Sequence, residues 1–153
     1  MGVAGFLEAV GKQGAVLIDT NVVIYFLEDS PVFGKASAEL FHLIQRGKIS
    51  GCLSVITAAE LLVKPIRAGL EELAENIKFF LDCFPNLQLL EVTKDIALLA
   101  ARVRASTNLK VPDAILVATA TLHGCALVGN DSACSKKELG IPYIYLAGYL
   151  KEE

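Results

Sequence analysis

Short apolar segments rich in branched residues alternate with helical patterns from end to end, and this alternation limits the fold more than any other feature. Strand-like segments cover residues 15–19, 48–55, 86–92, 125–131 and 142–146. Such alternation predicts an α/β fold, a three-layer α/β/α sandwich around a mainly parallel five-stranded sheet. The length of 153 residues fits one domain, which we assign to 15–150. Residues 1–14 form an N-terminal extension without an assigned role.

Capping and helix-breaking residues predict where the helices begin and end. Ser30 is expected to cap a helix with Pro31 at its first position, and Ser54 to cap another that Pro65 ends or kinks. An apolar stripe at helical spacing predicts a helix over 70–84. Further helices are expected over 22–29, after Thr93, and from Pro112 through about His123, where Gly124 ends the helix.

The composition excludes several classes of protein. The longest apolar run, residues 114–128, is shorter than the roughly 20 residues that a membrane span needs. The N-terminus has no charged leader before an apolar segment, so we expect a cytoplasmic protein without a membrane interaction. The net charge of −3 does not suggest a general nucleic-acid-binding surface. With 54% hydrophobic residues, the chain can have an apolar face for a homodimer or a partner.

Cysteine and histidine give little support for zinc or disulfides. The four cysteines contain no C-x-x-C pair, and free buried thiols in a reducing compartment are the expected state. His42 and His123 are isolated from each other and from the cysteines.

Four carboxylates occur in unusually apolar surroundings: Asp19, Glu60, Asp113 and Asp131. Each has a purely structural alternative. Asp19 can cap the helix that follows it, Glu60 can face solvent, and Asp113 follows Pro112 in a helix first turn, where the helix dipole favours a negative charge. Asp131 can form a turn or cap a helix.

Taken together, the four acids indicate a metal site. Parallel sheets place ligands beyond the carboxyl ends of their strands, where Asp19 and Asp131 are expected. Carboxylates gathered there repel one another, and a hard cation such as Mg²⁺ or Mn²⁺ relieves the repulsion. Basic side chains near these motifs can contact phosphate or simply face solvent: Lys64, Arg67, Lys110, Lys136 and Lys137.

Four segments resemble the successive motifs of PIN-domain nucleases, most closely the small VapC-like toxins of toxin–antitoxin pairs. They are "VLIDTNVVIYFL", "SVITAAELL", "LKVPDAILVATA" and "LVGNDSACSK". The resemblance runs from about Ala15 to Leu146 and implies a five-stranded parallel α/β/α sandwich. It also implies a metal-dependent endoribonuclease that uses Mg²⁺ or Mn²⁺.

The resemblance assigns roles to particular residues. Asp19, Glu60, Asp113 and Asp131 match the catalytic and metal-binding acids. Thr20 and Asn21 follow the first acid as in the family, and one of them is expected to orient Asp19 or a water. At the fourth motif "GND" stands where "TND" is common, so the hydroxyl expected at Gly129 is missing.

Two other functions stay open beside cleavage of an RNA substrate. One is a catalytically weak PIN-fold module that binds RNA or a protein. The other is a phosphatase or phospho-acceptor with Asp19 as nucleophile, although no D-x-D pair or glycine-rich phosphate loop is present. The resemblance further implies a homodimer and an antitoxin protein that inserts a basic side chain near the acids.

Overall fold

The computed structural model describes residues 2–150, in which five short strands form one sheet. The strands are β1 (Ala15–Ile18), β2 (Ser50–Ser54), β3 (Leu87–Leu90), β4 (Ala126–Gly129) and β5 (Tyr143–Tyr145). Their order across the sheet is β3-β2-β1-β4-β5, and all neighbouring pairs are parallel. The predicted parallel α/β fold is therefore confirmed.

Helices cover both faces of this sheet. They are α1 (Gly2–Gly11), α2 (Thr20–Leu27), α3 (Gly34–Gln45), α4 (Val55–Arg67), α5 (Glu71–Cys83), α6 (Lys94–Thr107), α7 (Val111–His123), α8 (Ser132–Ser135) and α9 (Leu146–Tyr149). Successive strand residues face opposite sides of a sheet. Accordingly Val16 and Ile18 of β1 pack with α1–α5, whereas Leu17 packs against α7 on the other face.

Helix α3 begins later than its sequence suggests. Ser30 does not cap it and Pro31 is not its first residue, because residues 31–33 form a turn and the helix begins at Gly34. The chain reverses at Asp29, whose φ is 49°, and Gly34 then lies directly against Asp29. A Cβ at position 34 would lie 2.9 Å from the Asp29 carbonyl carbon. This tertiary contact overrides the local signal for a helix start.

Helix α4 continues past Pro65 to Arg67, so the prediction that Pro65 ends it is wrong. A proline costs a helix the hydrogen bond that its missing N–H would donate to the carbonyl four residues earlier. Pro65 lies in the last turn of α4, its side chain is buried, and its own carbonyl accepts the N–H of Leu70 at 2.9 Å.

The cysteines are free, but they are not all buried. Cys52, Cys125 and Cys134 lie in the core, whereas Cys83 is exposed. Cys83 follows the buried Leu81 by two residues, which corresponds to about 200° around helix α5 and turns it to the outer surface. The expectation of burial is therefore wrong for Cys83.

The N-terminal segment contributes to the same core as the central strand. Phe6 and Val10 of helix α1 are fully buried in the cluster that contains Val16. The ring of Phe6 meets the ring of Tyr149 edge-on, with centroids 6.1 Å apart. Helix α1 thus joins α3 and α9 on one face of the sheet.

Within residues 2–150, every helix is too short or too polar to cross a lipid bilayer.

Truncating Phe6 should destabilise the whole protein. Phe6→Ala leaves a cavity in a fully buried site and is expected to lower the free energy of unfolding by about 3–5 kcal/mol. Urea denaturation measures this loss. Glu8→Ala on the same helix is the control, since its exposed ion pair with Lys12 contributes less than about 1 kcal/mol. Equal stabilities of the two variants would show that α1 does not pack as described.

Candidate functional site

The site lies where the two central strands end and their connections diverge. Asp19 follows β1 directly, and Asp131 follows β4 after one intervening residue. The backbone N–H of Asp19 donates to the carbonyl of Val128 at 2.9 Å, which holds the two strand ends together. Strands β2 and β4 lie on opposite sides of β1, so the strand order reverses between β1 and β4. In open parallel sheets, the crevice at such a reversal is the usual place for a ligand.

Asp19 is a half-buried carboxylate surrounded by other acids. It is the N-cap of α2, and its Oδ1 accepts the backbone N–H of Asn21 at 3.4 Å. Burial is the main cause that raises the pKa of Asp19 to about 6; that N–H opposes the shift, and the charges of Asp113, Glu60 and Asp131 add to it. The structure thus brings all four predicted acids close enough to interact.

Asp113 lies in the first turn of α7, after Pro112. Burial raises its pKa, and the negative charges of Asp131 and Glu60 raise it further. Lys110, the N-cap residue of the same helix, has the opposite effect on the pKa of Asp113. Lys110 is therefore a basic residue from the sequence analysis that lies near the acids.

A pair of threonine hydroxyls holds Glu60. The Oγ1 of Thr20 lies 3.0 Å from the Oγ1 of Thr57 and 3.1 Å from the Oε1 of Glu60. A hydroxyl has only one proton to donate. All three groups are satisfied when Thr57 donates to Thr20 and Thr20 donates to Glu60. The hydroxyl of Thr20 therefore fixes Glu60 and not Asp19, because the side chain of Thr20 is buried against α4.

Asp131 caps helix α8 and is also one of the four acids of the site. Its Oδ1 accepts the backbone N–H groups of Ala133 at 2.7 Å and Cys134 at 3.4 Å. Burial, and then the charges of Asp131, Asp113 and Asp19, raise the pKa of the Cys134 thiol to about 12. The cap fixes Oδ1 of Asp131, whereas Oδ2 makes no hydrogen bond within residues 2–150.

Sequence patterns did not identify two of the residues that support the site. Thr57 precedes Glu60 by three residues on α4, and that spacing, which places both on one helix face, is a local signal that was available. Asn130 has no such signal. Its Nδ2 donates to the Oη of Tyr25 at 3.0 Å, and its Oδ1 accepts the N–H of Ala147 at 2.8 Å. It joins α2, the end of β4 and α9 through partners distant in sequence.

The basic residues do not neutralise the acids. Ion pairs in the described part of the chain are Lys12–Glu8 and Lys78–Glu75, both on exposed helix surfaces. Lys64 lines the same groove as Glu60. Arg67 is exposed in the last turn of α4, and Lys136 and Lys137 are exposed at the end of α8.

The donor set fits a hard divalent cation. In residues 2–150, no three side chains of His, Cys, Asp or Glu already form a complete metal cage. Mg²⁺ does not require one, because it usually keeps several waters and binds one or two carboxylates. The four side chains offer only oxygen atoms, and their mutual repulsion favours a cation among them. Asp19 and Asp113, with Glu60 and Asp131, are the groups that would hold it.

Comparison with known proteins identifies the family. The family model for the PIN domain matches residues 16–138. The chain therefore belongs to the PIN domain family. No curated protein sequence matches it significantly.

Solved structures share the fold at low sequence identity. A toxin–antitoxin complex from Klebsiella pneumoniae contains a chain 23% identical, with a TM-score of 0.67, and the alignment covers 85% of this chain and 98% of that one. For DNA-bound VapBC from Salmonella typhimurium the identity is 21%, the TM-score 0.69, and the coverage 84% and 96%. FitAcB from Neisseria gonorrhoeae is 22% identical with a TM-score of 0.62, and 84% and 96% are covered.

The raised pKa of Asp19 predicts a pH-dependent effect of removing its charge. In metal-free protein the carboxyl is protonated more readily when folded than when unfolded, so its contribution to stability is full below pH 4 and is lost as the pH rises through about 6. Asp19→Asn should therefore become progressively more stable than wild type, by about 2–3 kcal/mol at pH 7.5. Denaturation curves between pH 4 and 7.5 measure the difference. A difference that does not change with pH would contradict the raised pKa.

Proposed function

We propose that this protein is an endoribonuclease that hydrolyses RNA phosphodiester bonds with Mg²⁺ or Mn²⁺. The observation that carries the proposal is the convergence of four acids at the end of β1, where burial and the charges of the other three raise the pKa of Asp19. A carboxylate whose pKa is perturbed by burial and by specific charged neighbours is typical of an active site. Membership of the PIN domain family supports a nuclease.

The four acids would bind the ion, and the groups that hydrogen-bond to them would keep the carboxylates in place. When bound, the ion supplies an activated water, an oriented phosphodiester and a neutralised leaving oxygen. Thr20 and Thr57 keep the carboxylate of Glu60 turned to the site. The backbone of α8 does the same for Asp131. These supports are neutral hydrogen-bond donors, so they orient the acids without cancelling their charge.

Substrate phosphates need positive charge near an acidic site. Lys64, in the same groove as Glu60, and Lys110, near Asp113, would supply it, and Arg67 extends the basic side chains along α4. Cys134 is not the nucleophile, because a thiol with a pKa of about 12 stays protonated at neutral pH.

The proposal predicts metal-dependent cleavage that requires two particular acids. Purified protein should cleave a fluorescent single-stranded RNA with Mg²⁺ or Mn²⁺ and not with EDTA. Asp19→Asn and Asp113→Asn should each lower the rate at least about 100-fold, since even residues that only support metal ligands cost about 10–100-fold. Asp82→Asn, which changes an exposed acid on α5, should leave the rate unchanged. Cleavage by the Asp19 and Asp113 variants at the wild-type rate would refute this mechanism.

One observation favours a second candidate, a catalytically weak module that binds RNA or a protein. The acids of residues 2–150 do not form a complete metal cage without a change of side-chain position. Calorimetric titration with Mn²⁺ separates the two candidates. The nuclease predicts binding heat that Asp19→Asn removes, whereas the weak module predicts no heat that depends on Asp19.

We further propose that the protein is the toxin of a toxin–antitoxin pair in the cytoplasm. Solved structures of similar fold are toxin–antitoxin complexes. An open apolar groove between α2, α4 and α5 supports this role, because it contains Leu27, Leu70 and Leu73 and extends to Glu60. A partner helix in that groove would bring a basic side chain to the acids. The other exposed apolar side chains, such as Phe79 and Leu98, would contribute to a homodimer.

The groove can be tested with the product of a small gene next to the one encoding this protein. That product, co-purified with the chain, should form a stable complex and abolish RNA cleavage. Leu73→Glu changes an exposed residue, so it should leave the cleavage rate of the free protein unchanged while weakening the complex at least about tenfold. Asp82→Asn, at an exposed residue of α5 outside the groove, is the control. Unchanged affinity in the Leu73 variant would exclude this groove as the binding surface.

A further inference from the structure

A phenol from the neighbouring strand holds the backbone of the fourth acid. The Oη of Tyr143, on β5, accepts the backbone N–H of Asp131 at 3.0 Å. The same hydroxyl lies 3.3 Å from the carbonyl of Asp131, to which it donates its proton. Both backbone groups of Asp131 are therefore bound to one side chain that lies 12 residues further along the chain.

Gly129 makes room for this phenol. A Cβ at position 129 would lie 2.6 Å from the Oη of Tyr143, 3.1 Å from its Cε2 and 3.2 Å from the Oδ2 of Asp19. Gly129 ends a regular strand and is not among the residues with a positive φ, so its backbone does not require glycine. The requirement is space, because any side chain there would displace the phenol or the carboxylate.

The position above Gly129 is thus bounded by a hydroxyl on one side and by the first acid on the other. We propose that Tyr143 is a positioning residue of the acidic site, whose hydroxyl, admitted by Gly129, takes the place of the hydroxyl that the resemblance to PIN-domain nucleases implies at position 129. It fixes the backbone of Asp131 and borders the carboxylate of Asp19. This inference deepens the proposed nuclease function and rests on it.

The two contacts of Tyr143 with the backbone of Asp131 require the neutral form of the phenol. A neutral phenol is both a donor and an acceptor. An ionised phenol could not donate to the carbonyl of Asp131.

Removal of the hydroxyl should weaken metal binding and catalysis without unfolding the protein. Tyr143→Phe is expected to lower Mn²⁺ affinity in calorimetry, and kcat for RNA cleavage, each about 10–100-fold, with KM for RNA unchanged. Tyr145→Phe is the matched control. It lies on the same strand with its ring 6.4 Å from that of Tyr143, and its hydroxyl does not contact Asp131. It should behave as wild type.

A rescue experiment separates positioning from a merely structural effect. Gly129→Ser alone should impair Mn²⁺ binding, because its Cβ would meet the phenol oxygen. Gly129→Ser combined with Tyr143→Phe removes the contact with the phenol oxygen, the shortest of the three at 2.6 Å, and returns a hydroxyl beside Asp19. This double variant should bind Mn²⁺ at least about tenfold more tightly than Gly129→Ala with Tyr143→Phe, which has the same space but no hydroxyl.

The outcomes distinguish this inference from the proposed function. Absence of Mn²⁺ binding in wild type would overturn both. Wild-type affinity and kcat in Tyr143→Phe, with Asp19→Asn inactive, would overturn only the role of Tyr143. If Tyr143→Phe does not fold, the double variant that combines Gly129→Ser with Tyr143→Phe decides: Mn²⁺ binding there supports the inference, and failure to fold or to bind overturns it.

Discussion

Repulsion between carboxylates at the end of the central strand is the constraint on which the rest of the site depends. Asp19 is half-buried, burial and three other acids raise its pKa to about 6, and the ion pairs of the described residues lie elsewhere. A charge in such a position is stabilised by protonation, by pairing or by a metal. The groups that hold the acids are hydroxyls and backbone N–H donors, which orient carboxylates but do not neutralise them. The arrangement therefore retains negative charge for a cation.

The fold concentrates this charge through its strand order. Strand β1 lies at the centre, β2 and β3 lie on one side of it, and β4 and β5 lie on the other. Asp19 and Asp131 follow the two strands that meet at this reversal, while α4 and α7 bring Glu60 and Asp113 from opposite layers. Both helix layers pack on the sheet through large buried clusters. The acids are consequently carried by rigid elements, which is what precise placement of ligands requires.

Much of the fold and the candidate acids could be predicted because they leave local signals. The five strands follow from short branched runs, and Asp19 stands out because it ends one of them. The errors arose where tertiary contacts decide: the turn before α3 depends on the approach of Gly34 to Asp29, and α4 tolerates Pro65 in its last turn. The roles of Asn130 and Tyr143 could not be predicted because their hydrogen-bond partners are distant in sequence. From the sequence, Gly129 indicates only a missing hydroxyl, whereas in the structure the phenol of Tyr143 lies beside this residue.

Diffraction from crystals grown with Mn²⁺ tests most directly whether the four acids hold a divalent ion. An anomalous difference peak is expected between Asp19 and Asp113, with carboxylate oxygens at about 2.1 Å and Glu60 and Asp131 bound directly or through water. The peak should disappear in Asp19→Asn crystals of the same form. A fully occupied Mn²⁺ elsewhere on the protein, with the four carboxylates unchanged and no peak between them, would contradict a metal site at these acids.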